Sequence, residues 1–336
     1  MPDQPREVDE FGALLWRTWG ELGVSTWDRA GAGTVVDPEA LIVLSEAHGD
    51  QRLRHETIDW GILHAHLLSP SRLRHLGRRA GVEPALGAWL ATVAAHATAV
   101  RWRTDRADAL SGYVPSRASR WYGDAPVDRP AAAALRLRAY TGTSVRAEVV
   151  RALHPVALGL AEAQSALQIA GRAGTTAPGV FAILSELEQS GLLRQIGTPR
   201  RRRYEPRIDH VIARDVWHPW QSLPYGPWLE ALDAVPALLT LHRAMNSTEL
   251  DPSEIAAKAR TYDTARGTIE ALTRETPAPR PRGNAATVDA ELARIGRDAL
   301  ARALTLLNHG HAAPQQREPP GDAGTMLAGS PWAGID

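Results

Sequence analysis

The chain has 336 residues, 44% of them apolar, with 38 basic and 38 acidic side chains and no cysteine. Such a length leaves room for about two or three packed units, and the missing cysteines exclude disulfides, thiolate zinc sites and a cysteine nucleophile. No apolar run suits a bilayer span and the start, Met1-Pro2-Asp3-Gln4, does not read as a signal peptide, so a soluble, cytoplasmic protein without membrane contact is expected.

The zero net charge conceals an uneven distribution. Residues 1–50 hold three arginines against ten acids, a balance of minus seven; residues 51–207 hold 23 against 12, plus eleven; residues 208–336 hold 12 against 16, minus four. A basic middle between acidic flanks is expected where one region meets a polyanion.

In the N-terminal third, Asp37-Pro38-Glu39 and Ser69-Pro70 each set a capping residue before a proline suited to the first helical turn. Phe11, Leu15, Trp19 and Leu22 share one face of a first helix, and Leu53, Trp60, His64 and Leu68 share a face of another. Residues 85–100 read as a buried helix. Arg72, Arg74, Arg78 and Arg79 read as a solvated basic face beside the core residues Leu73 and Leu76. A second, degenerate DNA-binding helix pair over 51–80 is the alternative. Gly, Pro, Ser and Asp between Ser111 and Pro130 place a boundary near Asp128.

After an approach helix or linker over 131–140, Ser144 can cap a helix whose buried side is Val145, Val149, Val150 and Leu153, with Glu148 in its first turn. A short helix over 165–172 follows, with Leu167 and Ala170 inward. Thr175 or Thr176 caps a third helix that packs through Val180, Ile183 or Leu184, and Leu187. Thr176, Gly179, Ala182 and Ser185 are left for its outer face. Gly191 suits a left-handed helix exit. Leu192 to Ile196, the turn Gly197-Thr198-Pro199 and the return Arg202 to Glu205 then read as a hairpin. Its tip, Arg200-Arg201-Arg202-Arg203, suits phosphates or a narrow minor groove better than packing.

Beyond Pro206, the Trp- and Pro-rich stretch from Trp217 to Trp228 reads as an ordered packing loop, and residues 227–245, 252–273 and 287–308 read as three helices. Their apolar faces suit a helical domain or a dimer interface. Residues 276–283 read as a connector and 309–336 as a disordered tail. The expected organisation is mainly α: a helical domain over 1–128, a unit of three helices and a hairpin over 129–207, a helical domain over 208–308, and the tail.

No enzyme is expected, and neither a cofactor nor a metal. The chain has no phosphate-binding glycine loop, no Gly-x-Ser-x-Gly elbow and no His-Glu-x-x-His motif. His64 and His66 lie two apart on a helix and diverge, His309 and His311 are no stronger, and Asp209, His210 and Asp215 lack a nucleophile.

Residues 144–205 resemble the winged helix-turn-helix domains of bacterial ArsR/MarR-like regulators. The resemblance covers under one fifth of the chain. It implies that the third helix enters the major groove of double-stranded DNA and that the hairpin contacts backbone or minor groove. The residues carried over are Arg172, Thr175, Thr176, Gly179, Ala182 and Ser185 on the helix side and Arg200, Arg201, Arg202 and Arg203 on the wing. The outer face departs from a strongly base-reading helix, because it offers small residues in place of Arg, Asn or Gln. The resemblance implies a transcription regulator, expected as a homodimer. The alternative is a protein-binding adaptor, antitoxin-like or defence-associated.

Overall fold

The computed structural model describes residues 6–24, 34–104, 108–116, 127–157, 159, 161–198, 201–207, 226, 228–245 and 285–309, with scattered positions between 253 and 270. They are mainly helical. In chain order the elements are α1 (Arg6–Glu21), α2 (Pro38–His48), α3 (Gln51–His64), α4 (Pro70–Ala80), α5 (Glu83–His96), α6 (Ala133–Thr141), α7 (Val145–Ala157), α8 (Ala166–Ala173), α9 (Ala177–Gln189), β1 (Leu193–Ile196), β2 (Arg203–Pro206), α10 (Trp228–Met245) and α11 (Ala285–His309). None of the described helices is long and apolar enough to cross a membrane.

Helix starts follow local chemistry. Asp37 accepts from the Ala40 N–H at 3.2 Å and Ser69 from the Arg72 N–H at 3.3 Å, each ahead of a proline, so donors that the first turn cannot satisfy are paired. At α8, Ser165 and Gln168 form a reciprocal capping box.

Two buried clusters organise the chain. The larger joins α1 to α5 around Trp19, Trp60 and Trp89, all fully buried. Each indole is satisfied: Trp19 donates to Ser45 Oγ at 2.9 Å, Trp60 to the Leu22 carbonyl at 2.7 Å and Trp89 to Thr57 Oγ1 at 3.1 Å. Burying rings this large is a dominant stabilising term, and the paired N–H groups remove its main cost.

The same core includes Leu232, Val235, Leu239, Leu292, Leu300 and Leu304 from α10 and α11. α10 packs on α2, α4 and α11, and Trp228 donates to the Val35 carbonyl at 2.9 Å. The described helices after residue 208 therefore share the core of the N-terminal helices instead of building one of their own. The buried side chains of α10 and α11 thus pack inside the chain. The stretch from 217 to 227 lies outside the described residues apart from Gly226, as do the segment 276–283 and the tail beyond His309.

The smaller cluster joins α6, α7, α8, α9, β1 and β2 through Val149, Leu153, Ile169, Val180, Leu184, Leu193 and Tyr204. β1 and β2 are antiparallel, with Leu193 opposite Pro206 and Ile196 opposite Arg203. The hairpin is fastened to the segment before α8: Tyr204 N–H donates to the Gln164 carbonyl at 2.8 Å and Gln164 N–H to the Tyr204 carbonyl at 3.1 Å. Gly197, at φ +88°, makes the turn, where a Cβ would lie 2.6 Å from the Arg201 carbonyl oxygen.

Candidate nucleic-acid interface

α8 and α9 approach closely because the inward stripe of α8 is Ala166, Ile169, Ala170 and Ala173. The capping box starts the helix at Ala166 and so fixes this i, i+3, i+4, i+7 face. Leu167, expected inward, falls one residue off the stripe and is 74% exposed. Between the helices Gly174 adopts φ +64°, and a Cβ there would stand 3.2 Å from the Arg72 guanidinium.

α9 buries Val180, Leu184 and Leu187, while Thr176, Ala182 and Ser185 are exposed and Gly179 is half-buried. Thr176 stands at the N-cap, yet its side chain makes no capping bond. Phe181, which the packing pattern left unassigned, is 53% exposed on this helix. Two acids, Glu186 and Glu188, are exposed there too, the former paired with Arg146.

At the hairpin, Arg200 lies outside the described residues. Arg201 and Arg202 are exposed, and among the described residues neither has a carboxylate partner. Arg203 stands 3.4 Å from Glu162, a pair so exposed that it holds the guanidinium only weakly. Arg194 pairs across the strands with Glu205. On α8 Arg172 is exposed, and its carbonyl accepts from Arg151 at 2.8 Å. The structure thus leaves Ala182 and Ser185 exposed on α9 and Arg201 to Arg203 exposed on the hairpin after it. Thr175 and Thr176 depart from the expectation, because both line a cleft against α4, the former half-buried and the latter exposed.

Behind that cleft lies an ion cluster that the sequence did not announce. Arg72 grips Asp37 with both Nη atoms, at 2.8 and 2.6 Å, and reaches Glu39 at 2.6 Å. Arg138 pairs with Glu39 and with Glu148, the latter at 2.6 and 2.9 Å, and Arg151 Nε donates to Glu148 at 2.9 Å. Three cations meet three carboxylates among side chains at most 10% exposed. Burial pushes the Asp37 carboxyl up, but Arg72, Arg151 and Arg138 outweigh it and hold it well below the usual carboxylate range. Glu148 is drawn down to about 2 in the same way, with Arg138 the largest attraction opposing its burial.

Glu148 stands in the first turn of α7, as expected, and is buried there. One sequence expectation is corrected: Arg72 is 6% exposed and not part of a solvated basic face. The rest of that face is also partly spent: Arg79 pairs with Asp233 of α10 and Arg74 donates to the Arg103 carbonyl at 2.7 Å. Arg78 of that face stays exposed, with no carboxylate partner among the described residues. His64 packs on Trp60 with ring centroids 4.8 Å apart, and no cluster of metal-ligating side chains occurs among the described residues. Asp209, His210, Asp215 and His311 lie outside them.

Comparison with protein-family models, curated proteins and solved structures finds no match to this chain.

Proposed function

We propose that the chain docks on double-stranded DNA through α8, α9 and the β1–β2 hairpin, acting as a winged helix within a cytoplasmic transcription regulator. The observation that carries this reading is the pair Arg201 and Arg202, exposed and, among the described residues, without a carboxylate partner, on the hairpin that follows α9. Guanidinium groups in that position neutralise phosphates without a pocket. Thr176, Ala182 and Ser185 leave a helix slim enough for the major groove, with base reading confined to methyl contacts and shape. The acids of α9 limit it further, so backbone anchoring by the hairpin supplies most of the affinity. A homodimer would set two such units on half-sites about 34 Å apart.

One observation favours a second reading, a protein-binding adaptor. Leu167 and Phe181 expose apolar surface on α8 and α9, next to Glu186 and Glu188. Changing Arg200 to Arg203 to alanine separates the two. Duplex affinity, followed by fluorescence anisotropy, collapses if the hairpin anchors DNA. Unchanged affinity, together with sensitivity of function to Phe181→Ser, would favour the adaptor.

A further inference from the structure

The cleft between α4 and the starts of α7 and α9 has a volume of about 230 Å³. It is smaller than the ~300–1,000 Å³ typical of drug-sized ligand sites, which confines an occupant to a small molecule. Its back wall is the ion cluster, where Arg72, Arg138 and Arg151 are balanced by Asp37, Glu39 and Glu148 and contribute no net charge. Its lip is different. Arg78 is exposed, and among the described residues no carboxylate pairs with it. Arg79, its neighbour in sequence, is by contrast taken up by Asp233.

Around Arg78 stand His75 and the hydroxyls of Ser71, Thr143, Ser144 and Thr176. Hydroxyl-bearing residues of α4, of the entry to α7 and of the N-cap of α9 line one space, with Glu148 the one carboxylate among its lining residues. A planar carboxylate offers acceptors in one plane, whereas a tetrahedral oxyanion offers them all round. The backbone ends of α7 and α9 add positive potential of the same sign.

We propose that this cleft binds the phosphoryl group of a small phosphorylated molecule, with Arg78 as its principal counter-charge and His75 and the surrounding hydroxyls as further donors. The ligand would touch α4 of the larger core and the first turn of α9 at once, so its binding would bear on how α9 is held. The inference is independent of duplex binding, because none of the hairpin arginines lines the cleft.

His75 reports on occupancy. Its pKa lies below the usual histidine value, through burial first and then through the positive charges of Arg78, Arg79 and Arg72. A bound dianion opposes those charges and favours the imidazolium, so the midpoint must rise.

The test is the NMR titration of the His75 imidazole in the full chain, assigned with His75→Gln, in inorganic phosphate and in sodium chloride of matched ionic strength. Phosphate is expected to raise the midpoint by at least about half a unit. Arg78→Gln, at an exposed position, should abolish the rise, whereas the pair Arg201→Ala and Arg202→Ala should leave it intact. Equal midpoints in the two salts would overturn the proposal. So would a full rise in Arg78→Gln, or its loss in the hairpin variant.

Discussion

Arg72 donates through Nε to the main-chain carbonyl of Ala173 at 3.0 Å, tying α4 of the larger core to the last turn of α8 in the smaller one. The same guanidinium holds Asp37 at the start of α2. This side chain therefore links the proposed DNA-docking unit to the helical body, with Gly174 supplying the space for it.

Arg72→Met leaves Asp37 and Glu39 buried with one cation fewer. Breaking a buried ion pair from one side costs about 3–5 kcal/mol, far more than an exposed pair is worth. Urea unfolding should show that loss, and Arg72→Lys should recover only part of it, since an ammonium cannot reproduce the bidentate grip and the Ala173 contact together. A loss under about 1 kcal/mol would mean that the cluster does not hold the two cores together.

The cluster also sets an acid limit. Asp37 and Glu148 have pKa values below their ordinary ones, because neighbouring arginines outweigh burial. A lowered carboxyl contributes stability that is present above its unfolded pKa, near 4, and is lost as pH falls through the folded value. Thermal unfolding should therefore be insensitive to these groups above about pH 5 and should weaken progressively from about pH 4 towards pH 2. Arg138→Met should flatten that acid limb, in proportion to the attraction it removes from Glu148.

Glu46 behaves in the opposite sense. Burial pushes its carboxyl up to about 7, with Arg54 only partly opposing, and Oε1 has no hydrogen-bond partner. Arg54 Nε stands 3.2 Å from Oε2, without the alignment of a hydrogen bond. Here the folded state keeps a proton that the unfolded chain has released, so stability falls as pH rises from about 4.5 to 7. Glu46→Gln should remove that slope and stabilise the protein at pH 8 by on the order of 3 kcal/mol, measured by urea unfolding at pH 5 and pH 8. A wild-type stability that rises over this interval would contradict the assignment.

Much of the fold was legible in local patterns. The stripes Phe11-Leu15-Trp19-Leu22 and Val180-Leu184-Leu187 are buried as their spacing predicts, and Asp37 and Ser69 cap the helices expected of them. Three features are not legible, two because they depend on long-range pairing and one because it turns on where a helix starts. Arg72 finds Asp37 and Ala173 at separations of 35 and 101 residues, which helical periodicity cannot encode. The helices after residue 208 look amphipathic whether they pack on each other or on α1, α2 and α4. Leu167 was misplaced by a single residue, because apolar character drew it inward while the capping box set the face.

At the proposed interface, residue types and exposure agree for Ala182, Ser185, Arg201 and Arg202, whereas no local pattern signals that Thr175 and Thr176 line a cleft against α4. Phe181 was available to inspection, as the large apolar residue that fits neither the packing stripe nor the polar face of α9.

Duplex binding is tested most directly by the salt dependence of affinity for duplex DNA. Neutralising roughly five phosphates per protomer gives log K against log salt a slope near −4 or −5, and removing Arg201 and Arg202 should reduce its magnitude by about 2. A flat response in the unaltered protein, or a slope unchanged by loss of both arginines, would contradict anchoring by the hairpin.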